Sequence, residues 1–496
     1  MNEFKVNLPQ ILDQVIQSVP LFKPELALIF AFLVTIVAAL FVDKHWHNTS
    51  FLFAIMGMAI SCILLIPQID QGEKGFFGML LIDNFSVYAR FIILTGLGVS
   101  TIFVQQHFQK KPHRKRLGDI YSILLAAGIG LNLLTLTSNW LMTFIAIETV
   151  SISSYILVGY FSENKKQSEA AMKYLLFGSV SAAVMLYGLS LLYGFTGDLD
   201  FTSTTHLQGL MTAPKVLCTI SVLFVFVGIG FKLGFVPFHL WSPDVYEGAP
   251  TPITAFLATV PKLGAIILFS RIIQTWIPTQ LYFGEITLFF VIIVAIVTML
   301  VGNMIALRQH NIKRMMAYSS IGHTGFLLMA LLPITPHNQE VLLFYLAIYV
   351  AMNLAIFAFA DVLEQTTGST EIPDYAGLGK QYPVLFTCFT FAGIALVGLP
   401  PTAGFIGKIL VFTAVFEVYY AANDVAYIIL LAIGALTSVI SLFYYFKIPL
   451  YAFLRKGENR INTRLHARTV LGIGVVISVL LLVFGIFPNI LLNLFK

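Results

Sequence analysis

Charge is what this sequence has least of for its length: Asp, Glu, Lys and Arg make up 11% of 496 residues, against 58% hydrophobic residues. Soluble domains carry roughly a quarter charged residues, so this balance excludes a soluble multidomain enzyme and points to a polytopic membrane protein. Cysteine is scarcer still. Cys62, Cys218 and Cys388 lie far apart in apolar runs with no C-x-x-C pair, which leaves no basis for a disulfide framework, an iron–sulfur cluster or a zinc site. Packing is the role that remains for them. Nucleotide and metal signatures are missing as well. The segment GIGFKLG at 228–234 places its third glycine one position late for G-x-G-x-x-G, and there is no Walker loop, H-E-x-x-H or C-x-x-C-H. The chain is therefore expected to bind no nucleotide, flavin, cluster or metal by itself. A net charge of +5 gives no reason to expect a nucleic-acid partner. The first twenty residues lack the basic-then-apolar order of a cleaved signal and read as an amphipathic surface segment.

What the sequence has in abundance is apolar runs of spanning length. At about 20 residues per crossing there are about fourteen of them, all read as helices. They cover 25–42, 51–67, 84–105, 119–138, 140–161, 170–194, 217–238, 251–275, 284–307, 312–332, 339–363, 383–418, 426–453 and 469–491. Lys110, Lys111, Arg114, Lys115 and Arg116 cluster in one loop, and Arg455, Lys456, Arg460, Arg464 and Arg468 in another. Basic loops stay on the cytoplasmic side of a lipid bilayer. Alternation then puts Lys165, Lys166, Arg308, Lys313 and Arg314 on the same side, and the basic-poor loop 195–216 on the other. An even number of spans leaves both termini on the non-cytoplasmic side of a cell (inner) membrane.

A faint repeat divides the chain. Spans four to eight (119–275) and nine to thirteen (282–453) form two five-helix blocks, and the fourth span of each is interrupted, by GFKLGFVPFH and by GLPPTAGFIGK. An odd number of helices per copy means the two copies enter the membrane from opposite sides, the inverted-repeat plan of secondary transporters, with sites at the broken helices. Residues 1–118, with the first three spans, precede the blocks, and 454–496, a basic loop and the last span, follow. Proline without a donor and glycine without a side chain predict non-helical backbone at 236–239 and 398–401.

Ionisable residues inside these runs are Glu148, Lys173, Lys232, Lys262, His323 and Lys408, with Arg90, Asp361 and Lys447 nearer span ends. A charge at bilayer depth costs roughly 2.5–3.5 kcal/mol, so each such residue is a functional candidate. Pro237 follows Lys232, Pro261 directly precedes Lys262, and neither lysine is expected near a helix end. Desolvation disfavours an ammonium, so these lysines read as proton carriers, with Glu148 as the counter-ion whose approach and withdrawal switches Lys232. The alternatives are a snorkelling stem or a static ion pair. His323, in YSSIGHTGF, reads as a proton relay or as a histidine satisfied by a carbonyl. Lys173 is a possible relay or a snorkelling residue near a span start. His239, with Asp244 and Glu247 on the connector after the first break, is a possible relay or an interfacial group. Arg90 reads equally as a packing ion pair.

The run FKLGFVPFHLWSPDVYEGAPTPITAFLATVPKLGA, with MKYLLFGSVSAAVMLYGLSLLYG before it, RMMAYSSIGHTGF after it and GLPPTAGFIGKILVF near the end, resembles the antiporter-like membrane subunits of proton-pumping NADH–quinone oxidoreductase, respiratory complex I. The resemblance spans nearly the whole chain. FLATVPKLG in place of an H-A-A-T-M-V-type segment, a lysine rather than a glutamate at 408 and the lack of a long C-terminal lateral helix set it apart from two of the three large members. The resemblance implies that Glu148, Lys232, Lys262, His323 and Lys408 carry proton translocation, with Glu148 paired to Lys232. It also implies neighbouring membrane-arm subunits, and NADH, FMN, Fe-S clusters and quinone bound elsewhere, so that this chain is part of a translocase without a redox site of its own. A subunit of a multi-subunit cation/proton antiporter shares the broken helices and lysines. A structural spacer is a third reading, in which Lys232 and Lys262 are replaceable.

Overall fold

The computed structural model describes residues 2–46, 48–109, 116–161, 164–279, 282–457 and 467–495. A backbone in hydrocarbon has no water to bond, so the apolar runs close their own hydrogen bonds as helices. The surface helix α1 (Asn2–Ser18) leads into α2 (Lys23–Val37), α3 (Thr49–Leu65) and α4 (Asn84–Phe108). A small antiparallel hairpin, β1 (Glu73–Gly75) with β2 (Leu80–Ile82), links the last two. Next come α5 (Leu117–Leu136), α6 (Trp140–Gly159), α7 (Lys165–Thr196), α8 (Thr204–Thr212), α9 (Lys215–Leu233), α10 (Trp241–Gly248) and α11 (Thr251–Trp276). The remainder is α12 (Tyr282–Ala306), α13 (Ile312–Met329), α14 (Pro336–Thr367), α15 (Pro383–Val397), α16 (Ala403–Ala422), α17 (Val425–Pro449), α18 (Arg468–Ile486) and α19 (Asn489–Leu492).

Among the described residues, 13 helices are long and apolar enough to cross a membrane. The difference from fourteen is α13, whose Lys313, Arg314 and His323 lower its apolarity. It is nonetheless buried along nearly its whole length by its neighbours. Helix α11 is buried from Thr251 to Ile273, whereas α7, α16 and α17 present Val180, Phe416 and Val439 outward, as lipid-facing helices do. One face of the bundle carries the β hairpin and the 197–203 loop, joined through the bridges Leu80–Thr137 and Asn139–Asp200. The other carries Arg116, Arg308, Arg455 and Lys456 and the bridge Asn311–Glu371. Lys110, Lys111, Arg114, Lys115, Arg460 and Arg464 lie outside the described residues.

Both expected interruptions are present. Helix α9 stops at Gly234, which takes a left-handed φ of 67°, and Gly230 O accepts from Gly234 N–H at 2.8 Å and Phe235 N–H at 3.3 Å. Helix α15 stops in the same way at Gly398 (φ 84°), with Ile394 O accepting from Gly398 and Leu399 N–H at 3.0 and 3.2 Å. This cap satisfies terminal carbonyls without a further turn, and the prolines that follow have no N–H with which to resume one. Pro261 behaves differently, because α11 runs straight through it. A helical proline leaves the carbonyl four residues back without its donor. That carbonyl, Leu257 O, instead accepts the Tyr246 hydroxyl at 3.4 Å.

Candidate functional site

The interior charges lie on α6, α9, α11, α13 and α16, linked in part through hydroxyls and main-chain carbonyls that form a polar line. Lys232 sits in the last turn of α9, not in mid-helix as its apolar surroundings suggested, because Gly234 ends the helix two residues later. Its Nζ donates to Ser151 Oγ at 3.0 Å. Ser151 lies one turn beyond Glu148 on α6, so both face Lys232. The expected direct pair is absent: Glu148 and Lys232 interact through space, and the hydroxyl takes the contact. Lys232, Lys262, His323 and Lys408 are 3%, 1%, 4% and 5% exposed, whereas Glu148 is only partly buried.

The line continues through hydroxyls and main-chain carbonyls. The residue after Lys232 offers Leu233 O to Thr324 Oγ1 at 3.1 Å. Thr324 Oγ1 in turn accepts from Lys262 Nζ at 3.0 Å and lies 3.0 Å from Ser320 O, which also accepts from Lys262 at 3.0 Å. A hydroxyl has one hydrogen, so Thr324 serves one carbonyl at a time while accepting from the ammonium. Ser320 Oγ meets Tyr349 OH at 2.7 Å, and that phenol reaches Ala258 O on α11 at 2.9 Å. His323 lies between two phenols, Tyr345 OH at 3.0 Å from Nδ1 and Tyr445 OH at 3.4 Å from Nε2. At the far end Lys408 donates to Val397 O at 2.7 Å, Leu396 O at 3.1 Å and Ser438 Oγ at 3.3 Å, and stands 4.7 Å above the Phe326 ring. Its ammonium thus meets the negative end of the α15 dipole. A Cβ on Gly398 would come within 2.7 Å of Lys408 Cδ, so the glycine makes room for the lysine as well as for the turn.

Two expected relay residues stand off this line. Lys173 is 39% exposed and joins a surface network in which Asp244 binds Lys173 and Arg314 at 2.7 Å each, and Glu247 binds Arg314 at 3.0 Å. His239 is buried in the first break, and its Nδ1 has no hydrogen-bond partner among the described residues. Arg90 forms a fully buried ion pair with Glu25 at 3.0 Å, completed by Gln68 at 2.7 Å. No three His, Cys, Asp or Glu side chains come together as a metal site among the described residues. Sequence reasoning missed Ser151, Thr324, Tyr345, Tyr349 and Tyr445, which carry no charge. The available signal was the pair of tyrosines one helical turn apart at 345 and 349 in an otherwise apolar run.

Residues 137–441 match the family described as NADH:quinone oxidoreductase/Mrp antiporter, TM. The chain belongs to that family. Within it the chain is similar to NADH-quinone oxidoreductase subunit N 2 of Chloroherpeton thalassium, 36% identical over 475 residues, covering 94% of this chain and 91% of the relative. Its structure is similar to a chain of respiratory complex I from Thermus thermophilus, with a TM-score of 0.77 at 28% identity over 95% of this chain and 98% of the other. A chain of the Mrp complex from Dietzia sp. shares the fold, with a TM-score of 0.79 at 19% identity over 95% of both. This NADH:quinone oxidoreductase/Mrp antiporter family member is thus a multi-pass helical membrane protein whose polar line runs through the matched region.

Proposed function

We propose that this chain is the subunit N-type membrane-arm component of a NADH–quinone oxidoreductase, moving protons along the line from Glu148 through Lys232, Lys262 and His323 to Lys408. Electron transfer from NADH through FMN and Fe-S centres to quinone occurs on partner subunits and drives it. Each transfer breaks an N–H or O–H bond at one group and makes one at the next, and hydroxyls suit this because they donate and accept at once. Each charge moved outward against 100 mV requires about 2.3 kcal/mol.

One observation carries this reading. Lys232, Lys262 and Lys408 are buried, yet their hydrogen bonds go to hydroxyls and carbonyls, and among the described residues none has a carboxylate within 4.0 Å. A structural ion pair would hold a carboxylate against each ammonium. The basic-loop face is cytoplasmic in this reading, and both chain ends face away from the cytoplasm at the cell (inner) membrane. Two inverted units, 119–275 and 282–453, are supported by α9 and α15, which enter from opposite faces and both end in the interior at a glycine. Residues 1–118 and 454–496 flank them.

The test is Lys232→Ala and Lys232→Arg in assembled complex. Both are expected to lower quinone reduction and membrane-potential generation together, by about tenfold or more. A guanidinium keeps its proton at any relevant pH, so arginine does not restore transfer. Normal pumping by the arginine variant rejects the mechanism. Copurification separates the cation/proton antiporter alternative, which predicts small antiporter subunits in place of quinone-module partners.

A further inference from the structure

Lys408 differs from the other interior lysines in what surrounds its charge. Its ammonium donates to Val397 O at 2.7 Å, Leu396 O at 3.1 Å and Ser438 Oγ at 3.3 Å, and its Nζ also stands 4.7 Å from the centroid of the Phe326 ring. An ammonium has three N–H donors, so its hydrogen bonding is complete without the ring. Among the described residues, no aromatic ring lies beneath Lys232 or Lys262. The contact with Phe326 is therefore particular to Lys408, and hydrogen bonding does not account for it.

The ring is held where it is from several sides. Phe326 lies about one turn past His323 on α13, is buried, and has its centroid 6.2 Å from that of the imidazole. Phe412, one turn past Lys408 on α16, meets it edge to face at 6.2 Å and 77°. On α17, Gly434 leaves room for both rings, since a Cβ there would come within 3.5 Å of Phe326 Cε1 and 3.1 Å of Phe412 Cε1. Packing from α16 and α17 thus keeps the ring beside the ammonium. The face of an aromatic ring is the negative part of its quadrupole and attracts a cation within about 6 Å of the centroid, most strongly where water is excluded. A neutral amine at the same place gains none of that attraction.

We propose that Phe326 is a positioning residue for Lys408, its ring binding the ammonium and not the amine, so that each loading of Lys408 with a proton is favoured at the place the side chain occupies here. The ring forms and breaks no bond. The proton bonds to Nζ, and the ring supplies attraction for the charge that results. The carbonyls of Leu396 and Val397 act differently, because they accept from the amine as well, which keeps two N–H donors. Phe326 tells the two forms apart by charge alone. An aliphatic side chain of similar bulk would fill the space without this property.

The proposal rests on the pumping reading above, and the experiment separates the two. Phenylalanines carrying one, two and three ring fluorines are placed at position 326 in assembled complex, beside Phe326→Leu and Lys232→Ala, and quinone reduction and membrane potential are measured. Fluorine draws charge from the face of the ring and leaves its shape nearly unchanged. Turnover is expected to fall about twofold with each fluorine, and roughly five- to thirtyfold in Phe326→Leu, the factor that corresponds to a cation–π contact with a desolvated charge. Three fluorines on Phe389, which packs on Phe359 with no cation over it among the described residues, are expected to leave turnover near wild type. A fluorine series that stays flat or rises overturns the proposal, as does wild-type turnover in Phe326→Leu or an equal loss in the Phe389 control. Loss in the leucine variant beside a flat series is the mark of a ring that merely packs. Should Phe326→Leu fail to assemble, the fluorine series decides alone. If Lys232→Ala pumps normally, the parent reading fails; if Lys232→Ala fails while the fluorine series is flat, only the role of Phe326 is lost.

Discussion

An ammonium that must release its proton needs neighbours able to bond to it both before and after. A hydroxyl accepts from the ammonium and donates to the amine, whereas a main-chain carbonyl only accepts. Lys232 faces Ser151, Lys262 faces Thr324 and the Ser320 carbonyl, and Lys408 faces chiefly the carbonyls of Leu396 and Val397. In the proposed pumping reading, Lys232 and Lys262 each have a hydroxyl at 3.0 Å, and Lys408 has the more distant Ser438 Oγ at 3.3 Å. Thr324→Val tests the role of the hydroxyl, since it keeps the shape but removes the link between Lys262 and Leu233 O. Its turnover is expected to drop about tenfold with assembly intact. Thr259→Val is the control. That hydroxyl bonds only to carbonyls of its own helix, Ala255 O at 2.7 Å and Phe256 O at 3.2 Å, and its loss is expected to leave turnover near wild type. At this scale the charged members of the line were legible in the sequence, because a charge in an apolar run stands out. The hydroxyl members were not, because serine, threonine and tyrosine are ordinary in helices. Nor could the sequence show that Ser151, one turn past Glu148, takes the contact with Lys232.

Among the helices, proline has two fates. Beside Gly234 and Gly398 it follows a finished helix and keeps the chain from resuming one, and the sequence signals both breaks because glycine and proline come together there. In α11, Pro261 has no glycine before it, and the helix continues because another element repairs the damage. The Tyr246 hydroxyl, brought in by α10, supplies the donor that Leu257 O lacks. Tyr246→Phe is therefore expected to lower stability by about 1–3 kcal/mol, the cost of a buried carbonyl without a donor. With Pro261→Ala in place the backbone N–H returns, and Tyr246→Phe should then cost little. A double-mutant cycle on the melting of the assembled complex measures this coupling. Additive losses would show that tyrosine and proline act independently.

For the whole molecule, sidedness is the testable quantity. Lys456 and Thr212 are exposed on opposite faces of the bundle. With Cys62, Cys218 and Cys388 replaced, single cysteines at these positions are treated with an impermeant maleimide in intact cells. Position 212 is expected to react at once and position 456 only after permeabilisation, as basic loops retained in the cytoplasm require. The reverse order would invert the proposed direction of pumping. The spans were legible from hydropathy, and α13, read from the sequence at 312–332, is the least apolar of them because it lines the interior rather than the lipid.

Helix α11 is enclosed along the stretch that matters. With α4, α5, α9, α13 and α14 packed about it, every residue from Thr251 to Ile273 is buried, so the surroundings of Lys262 are shielded from lipid and from neighbouring chains. Lys262 resembles the conductor in a sheathed cable: whatever a partner does reaches it second-hand, through residues of this chain. In the proposed reading, its response to the rest of a complex is therefore written in this sequence, and exchanging the neighbours is expected to change when Lys262 is signalled, but not how it answers.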